Sequence, residues 1–120
     1  MTGTVDAAGR AMLLIRLKYP ASSVESPVDA WIDTGFTGDL VLPANLIASL
    51  GLPLGPAVSA KLADGSIVHL DTYSCILDWF GQWKAIEVVS NQGDFPLLGV
   101  GLMQDHELRV DYRLKSLTLT

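Results

Sequence analysis

Alternation of apolar and polar side chains predicts two strands in the first third of the chain. At residues 13–19, apolar side chains alternate with Arg16 and Lys18. A period of two residues is typical of a strand with one buried face. A second alternating stretch, at residues 28–32, ends directly at Asp33. We therefore expect Asp33 at the end of a half-buried strand.

Helical signals are few and short. Residues 39–42 predict another short strand, after which Pro43 can open a helix that Gly51 ends. Residues 101–105 are predicted to form a single helical turn. At most two short helices are therefore expected.

The second half of the chain predicts mainly hairpins. Residues 58–91 are rich in Val, Ile and aromatic residues, with turn signals at residues 64–65 and around Gly81. Residues 97–99 close a short apolar strand, and alternation within residues 108–119 predicts a terminal strand pair. Many short strands with little helix imply a closed, mainly β domain.

Length and composition fit one domain over residues 1–120. The nine residue types AVILMFWYC make up 49 % of the chain and charged residues only 18 %, whereas about 25 % charged residues is typical. A small domain cannot bury all of this apolar surface, and exposed apolar patches favour association with a partner. We therefore expect an oligomer.

The charge balance and the cysteine count indicate which classes of partner are disfavoured and which cellular location to expect. Thirteen acidic and eight basic residues give a net charge of −5, which disfavours nucleic acid and anionic membranes as partners. No apolar run is long enough for a membrane helix. The single Cys75 cannot form a disulfide within the chain, and the first residues lack the pattern of a signal peptide. The cytoplasm is the expected location.

Residues 30–43, AWIDTGFTGDLVLP, carry the candidate chemistry. The carboxyl group of Asp33 follows an apolar strand and precedes a tight turn at Gly35, so we expect it to be desolvated. Asp, Thr and Gly are also common turn residues. A purely structural role, in which Asp33 prepares the turn, stays open at this point.

This stretch resembles the active-site segment of the retropepsin-like aspartic proteases, in which two apolar residues precede Asp-Thr/Ser-Gly. The second mark of that family is an apolar pair followed by glycine and a short helix, and residues 96–103, PLLGVGLM, match it. The continuation through Gly38 to Pro43 is similar to the small single-domain bacterial and archaeal members. The resemblance covers residues 13–119 and implies a closed, barrel-like retropepsin (acid protease) fold with one Asp-Thr-Gly per chain.

Two features depart from the viral members of that family. Phe36 is bulkier than the Ala or Ser that follows the viral motif, and the turn at residues 63–66, ADGS, is not rich in glycine. A substrate preference therefore cannot be carried over.

The resemblance implies that Asp33, Thr34 and Gly35 are catalytic and that the reaction is peptide-bond hydrolysis. Hydrolysis without a metal needs one group to deprotonate water and another to protonate the carbonyl oxygen, and two carboxylates sharing one proton do both. The chain has one Asp-Thr-Gly, so the second carboxylate must come from a second copy. We expect a symmetric homodimer with contacts through the Asp33 turns, including the Thr34 hydroxyl, and through the terminal strands.

The turn at Asp64, Gly65 and Ser66 lies between the two marks, where the family has the tip of its flap hairpin. The resemblance implies that these three residues contact a peptide or protein substrate. An ordinary exposed hairpin is the alternative for this turn. For the whole protein, the alternative is a peptide-binding or dimerisation module of the same fold that cleaves slowly or not at all.

The other reactive side chains give no indication of a metal site or of a second catalytic site. No pair among His69, His106 and Cys75 has zinc-site spacing, so we expect no metal and no other cofactor. Cys75 could act as a nucleophile with a distant histidine, but its strand-like surroundings favour a buried, inert thiol. Four large aromatic side chains could line a substrate groove, but we expect them in the core, where such residues of a small β domain usually lie. They are Trp31, Trp79, Phe80 and Trp83.

Overall fold

The structure, a computed structural model, describes all of residues 1–120 and contains eleven strands and one α-helix. The strands are β1 (Thr2–Val5), β2 (Ala11–Lys18), β3 (Ser26–Ile32), β4 (Leu40–Pro43), β5 (Val58–Lys61), β6 (Ile67–Leu70), β7 (Thr72–Trp79), β8 (Gln82–Asn91), β9 (Leu97–Leu98), β10 (Leu108–Asp111) and β11 (Ser116–Leu119). The helix α1 spans Ala44–Leu50, and a 3-10 turn spans Val100–Leu102. The predicted mainly β class is confirmed.

Backbone pairing closes part of the sheet into a ring. Nine strands form one sheet in the order β10-β11-β1-β2-β3-β9-β4-β8-β7. A further pairing joins β2 to β7 through Leu17 opposite Leu77 and Lys18 opposite Ile76. The six strands from β2 to β7 in this order therefore close on themselves, which removes free edges and encloses a core. This agrees with the closed, barrel-like prediction.

The core inside the ring is aliphatic. The alternation along β2 buries Leu13, Ile15 and Leu17, as the sequence predicts. Every strand of the ring adds inward-facing side chains to the same cluster, which includes Val28, Leu40, Leu42, Leu77, Val88 and Leu98. Burial of these side chains is the main force that stabilises the ring.

The short helix α1 lies against this core through Ile47, which is buried. Pro43 precedes the first helical residue, and Gly51 ends the helix in the left-handed conformation with φ of 65°. Both ends therefore lie where the sequence predicts them. No helix in the structure is long and apolar enough to cross a membrane.

Both predicted hairpins are present. Strands β5 and β6 form a separate two-stranded sheet around the turn at residues 62–66. Strand β7 pairs over its whole length with residues 82–89 of β8, around Phe80 and Gly81, which both have positive φ. The helical turn predicted at residues 101–105 begins earlier, at Val100.

The first strand, β1, was not predicted. It lies between β11 and β2, with Gly3 opposite Leu117 and Thr4 opposite Met12. The segment has no alternating pattern, and Gly3 is needed because a Cβ there would meet the carbonyl oxygen of Met12.

The predicted terminal strand pair, β10 with β11, is confirmed. However, β1 and β11 pair with each other within one chain, and the Met1 amino group donates to the Leu119 carbonyl at 2.6 Å. The terminal strand that keeps an unpaired backbone edge is β10, since it pairs with β11 alone. A contact to a second copy through terminal strands is therefore restricted to that edge.

Ring closure can be tested at Leu77, which is fully buried opposite Leu17. We expect Leu77→Ala to lower the free energy of unfolding by about 2–5 kcal/mol, because it removes buried methyl groups and leaves a cavity. The matched control is Leu114→Ala, since Leu114 is 67 % exposed. Urea unfolding of both variants measures the difference, and equal destabilisation would contradict the closure of the ring between β2 and β7.

Candidate active site

Asp33 lies where β3 ends, beside β9. Strands β3 and β9 run parallel, with Ile32 opposite Leu98. The Asp33 amide donates to the Leu98 carbonyl at 2.9 Å. The two sequence marks, separated by more than sixty residues, therefore meet in the fold at the backbone of Asp33.

The Asp33 side chain organises its own turn. Its Oδ1 accepts the Gly35 amide at 2.9 Å, and its carbonyl accepts the Phe36 amide at 3.2 Å. Asp33 is only half-buried, and Thr34 and Gly35 are exposed. The expectation of a desolvated carboxylate is therefore wrong for the single chain, because the turn lies at the surface.

The loop after Asp33 is held by the segment that follows β9. The amides of Gly99, Val100 and Gly101 donate to three loop carbonyls, at distances of 2.8–2.9 Å. These acceptors are the carbonyls of Asp39, Phe36 and Gly38, in that order. A Cβ at Gly99 or Gly101 would meet the Gly38 carbonyl oxygen. The glycines of the second mark therefore permit the close approach of two backbones.

A cleft of about 800 Å³ opens beside Asp33. Its walls come from the Asp33 loop, the β5–β6 hairpin and β8, and its charged side chains are Asp33, Lys61 and Glu87. The lining residues are Asp33, Gly35, Phe36, Thr37, Gly38, Val41, Val58, Ser59, Ala60, Lys61, Leu62, Ala63, Leu70, Glu87, Val89, Ser90, Asn91 and Leu97.

The structure brings together some of the predicted site residues and separates others. Asp33 and Gly35 line the cleft, whereas Thr34 is exposed beside it and the turn at residues 64–66 lies beyond it. The hairpin wall is formed by residues 58–63, which sequence reasoning did not single out. The alternation of β5, in which Val58 and Ala60 are its less exposed residues, is the signal that could have indicated this wall.

The hairpin tip has a fixed shape although it is exposed. Asp64 Oδ1 accepts both the amide and the hydroxyl of Ser66, at 2.9 and 2.6 Å. These hydrogen bonds from Ser66 hold the pKa of the Asp64 carboxyl below its usual value. Gly65 has φ of +87°, which glycine adopts without strain. Substrate contact by Asp64, Gly65 and Ser66 stays a prediction.

The other reactive side chains lie apart from the cleft and from one another. His69 is not part of the cleft lining but contacts Ser59, which is, whereas His106 lies against Trp79 and Phe80. The structure brings no three His, Cys, Asp or Glu side chains together as possible metal ligands. Cys75 is buried in β7, which raises the pKa of its thiol to about 11.

The prediction that all four large aromatic side chains lie in the core is wrong for three of them. Trp79 is buried, whereas Trp31, Phe80 and Trp83 are 38–43 % exposed. Trp31 lies edge-on to Phe95 on the outer surface of the ring, near Arg10. The reason is the strand alternation, which places Trp31 on the face opposite the buried Ile32.

No protein-family model and no curated protein matches this sequence. Solved structures do match. A retropepsin-like aspartic protease from Rickettsia conorii superposes with a TM-score of 0.67 at 17 % identity, over 99 % of this chain and 88 % of that one.

Two further structures agree. The EIAV protease complexed with the inhibitor HBY-793 gives a TM-score of 0.58 at 16 % identity, over 85 % of this chain and 92 % of that one. The retroviral protease-like domain of Ddi1 from Leishmania major gives 0.50 at 15 % identity, over 90 % and 87 %. The chain therefore has the retropepsin-like fold, as the sequence resemblance predicts.

The burial of Cys75 predicts an unreactive thiol. Raising its pKa from 9.0 to about 11 lowers the thiolate fraction at neutral pH about 100-fold. We expect iodoacetamide to label the native chain at least that much more slowly than the chain in denaturant. Equally fast labelling in both states would contradict the burial of Cys75 and would reopen its role as a nucleophile.

Proposed function

We propose that this chain is an aspartic endopeptidase that hydrolyses peptide bonds as a symmetric homodimer, with one Asp33 carboxylate from each copy. The observation that carries the proposal is the position of Asp33, which is held by backbone bonds at the mouth of the cleft with its carboxylate half-exposed. The retropepsin-like fold supports it.

The proposed reaction uses the two carboxylates in different protonation states. The ionised carboxylate takes a proton from water as the water oxygen attacks the peptide carbonyl carbon, and the protonated one gives its proton to the carbonyl oxygen. The tetrahedral intermediate then collapses: one of its hydroxyl groups returns a proton to the second carboxylate, the C–N bond breaks, and the amine leaves with a proton from the first carboxylate. No metal or other cofactor takes part in this scheme.

Electrostatics explains why such a pair holds one proton. Two negative carboxylates about 3 Å apart at an effective dielectric constant of about 20 repel by roughly 5 kcal/mol, which corresponds to about four pK units. One carboxyl group therefore remains protonated when the other ionises, as in the aspartic proteases generally.

The cleft fits an extended peptide or protein segment. Val58 and Ala60 line one wall and Leu97 lies on the side of Asp33, so apolar substrate side chains find apolar surface on both sides. A peptide in this cleft would lie along β5, whose backbone pairs only with β6. Addition of a strand to an open edge is a general mode of peptide recognition.

Two surfaces of the chain support a homodimer. The exposed turn at Asp33 supplies one carboxylate, so the pair requires a second copy related by a twofold axis. The backbone edge of β10 is unpaired, and Tyr112 and Leu114, which follow it, are 64 % and 67 % exposed. Pairing of β10 with a second copy would bury such apolar surface and satisfy that edge.

The catalytic assignment predicts the effect of Asp33→Asn. The amide oxygen can still accept the Gly35 amide, so the turn and the fold are retained. Cleavage of a peptide library should fall by at least about 100-fold, because an amide neither takes nor gives the required proton. Mass spectrometry of the products measures cleavage, and thermal melting measures whether the fold is retained.

The matched control for this substitution is Asp29→Asn. Asp29 lies exposed on β3, the strand that directly precedes Asp33, and outside the cleft. We expect this variant to cleave like the unmodified chain. Undiminished cleavage by Asp33→Asn would refute the catalytic role. An unmodified chain that binds peptides and cuts none, from acid to neutral pH, would favour the binding module.

The homodimer predicts how mixed subunits behave. When unmodified and Asp33→Asn chains are mixed at constant total concentration and allowed to exchange, a dimer with one Asp33 is inactive. Activity should then fall with the square of the unmodified fraction, and light scattering should report a dimer. A linear fall, with particles of monomer mass, would show that one chain works alone.

A further inference from the structure

Phe36 connects Asp33 to the segment that holds the loop. Its amide donates to the Asp33 carbonyl at 3.2 Å, and its own carbonyl accepts the Val100 amide at 2.8 Å. Phe36 therefore links the Asp33 backbone to the 3-10 turn, in addition to the hydrogen bonds that Asp39 and Gly38 accept.

The Phe36 ring fills a slot made by two glycines. A Cβ at Gly38 would lie 2.5 Å from the ring Cζ, and a Cβ at Gly99 would lie 2.5 Å from the ring Cδ2. For Gly38, the three nearest atoms all belong to this ring, whereas Gly99 also faces the backbone carbonyl of Gly38. The ring therefore packs between the loop and the segment after β9.

The ring does not belong to the core cluster inside the strand ring. It is half-buried and forms part of the cleft wall with Asp33. Loss of this ring would thus leave the core packing in place and remove support mainly from the loop that carries the carboxylate.

We propose that Phe36 is a positioning residue for Asp33, in that its ring, held in the slot between Gly38 and Gly99, fixes the loop in the geometry that peptide hydrolysis needs. This inference rests on the proposed function. A smaller side chain leaves a void between two backbones, so the loop gains freedom and the carboxylate loses its fixed place.

A double-mutant cycle tests the slot without any assay of activity. We expect Gly38→Ala alone to lower Tm, because its methyl group meets the ring. In the Phe36→Ala background the same substitution should leave Tm unchanged or raise it, because that space is now free. Gly99→Ala is the matched control. It should lower Tm in both backgrounds, since its methyl group also meets the Gly38 carbonyl oxygen.

Kinetics then separate positioning from a merely structural role. Measured well below the Tm of each variant, Phe36→Ala should lower kcat by about 10- to 100-fold, with KM changed less than kcat. Phe36→Leu, which keeps much of the bulk, should recover part of kcat. Hydrogen exchange of the Gly35 amide, which bonds to Asp33 Oδ1, should become faster in Phe36→Ala.

The outcomes are distinguishable. If the Phe36→Ala variant cleaves at the rate of the unmodified chain, the positioning role is overturned and the proposed function is left intact. An equal fall in Tm for Gly38→Ala in both backgrounds also overturns it, because the ring is then not what fills the slot. If the unmodified chain cuts no peptide at all, the proposed function is overturned, and the positioning role is lost with it.

Discussion

The exchange of backbone hydrogen bonds between the Asp33 loop and the segment after β9 is the constraint on which the rest of the site depends. Each of these bonds joins groups that lie far apart in sequence, so the loop keeps its shape only when the ring is complete. Gly99 and Gly101 are needed because any side chain there would push the two backbones apart. The carboxylate therefore gains its position from the main chain, which a surface turn alone could not provide.

Under the proposed function, the single chain supplies half of a catalytic site. The loop holds one half-buried carboxylate beside the cleft. The β5–β6 hairpin pairs with no other strand, and isolated two-stranded hairpins are only marginally stable. We therefore expect this wall to open at a lower free-energy cost than a strand of the ring, as closure over a peptide in the proposed function would require.

The sequence predicts those features that depend on neighbouring residues. Alternation located β2 and β3 to within two residues, short apolar runs located β4 and β9, and proline and glycine marked the ends of α1. It missed β1, because the pairing around Gly3 is decided by strands more than a hundred residues away. The exposure of Trp31 follows from the local alternation of β3, which the expectation of an aromatic core overrode. The alternation of β5 was likewise available, but only the fold shows that this strand faces the cleft beside Asp33. Asp33 lines the cleft and stays a catalytic candidate, but its exposure depends on a surface turn that alternation does not describe.

Electrostatics limits what can drive association of two such chains. Each copy has a net charge of −5, and the proposed site brings two carboxylates together, so long-range forces oppose the dimer. Salt at physiological strength screens this repulsion beyond about 8 Å, and one shared proton removes much of it at the dyad. Attraction must therefore be short-range, from backbone pairing at β10 and burial of apolar side chains such as Tyr112 and Leu114. In the proposed dimer, the apolar excess in the composition and the free strand edge would together supply the attraction that holds two like-charged chains in register.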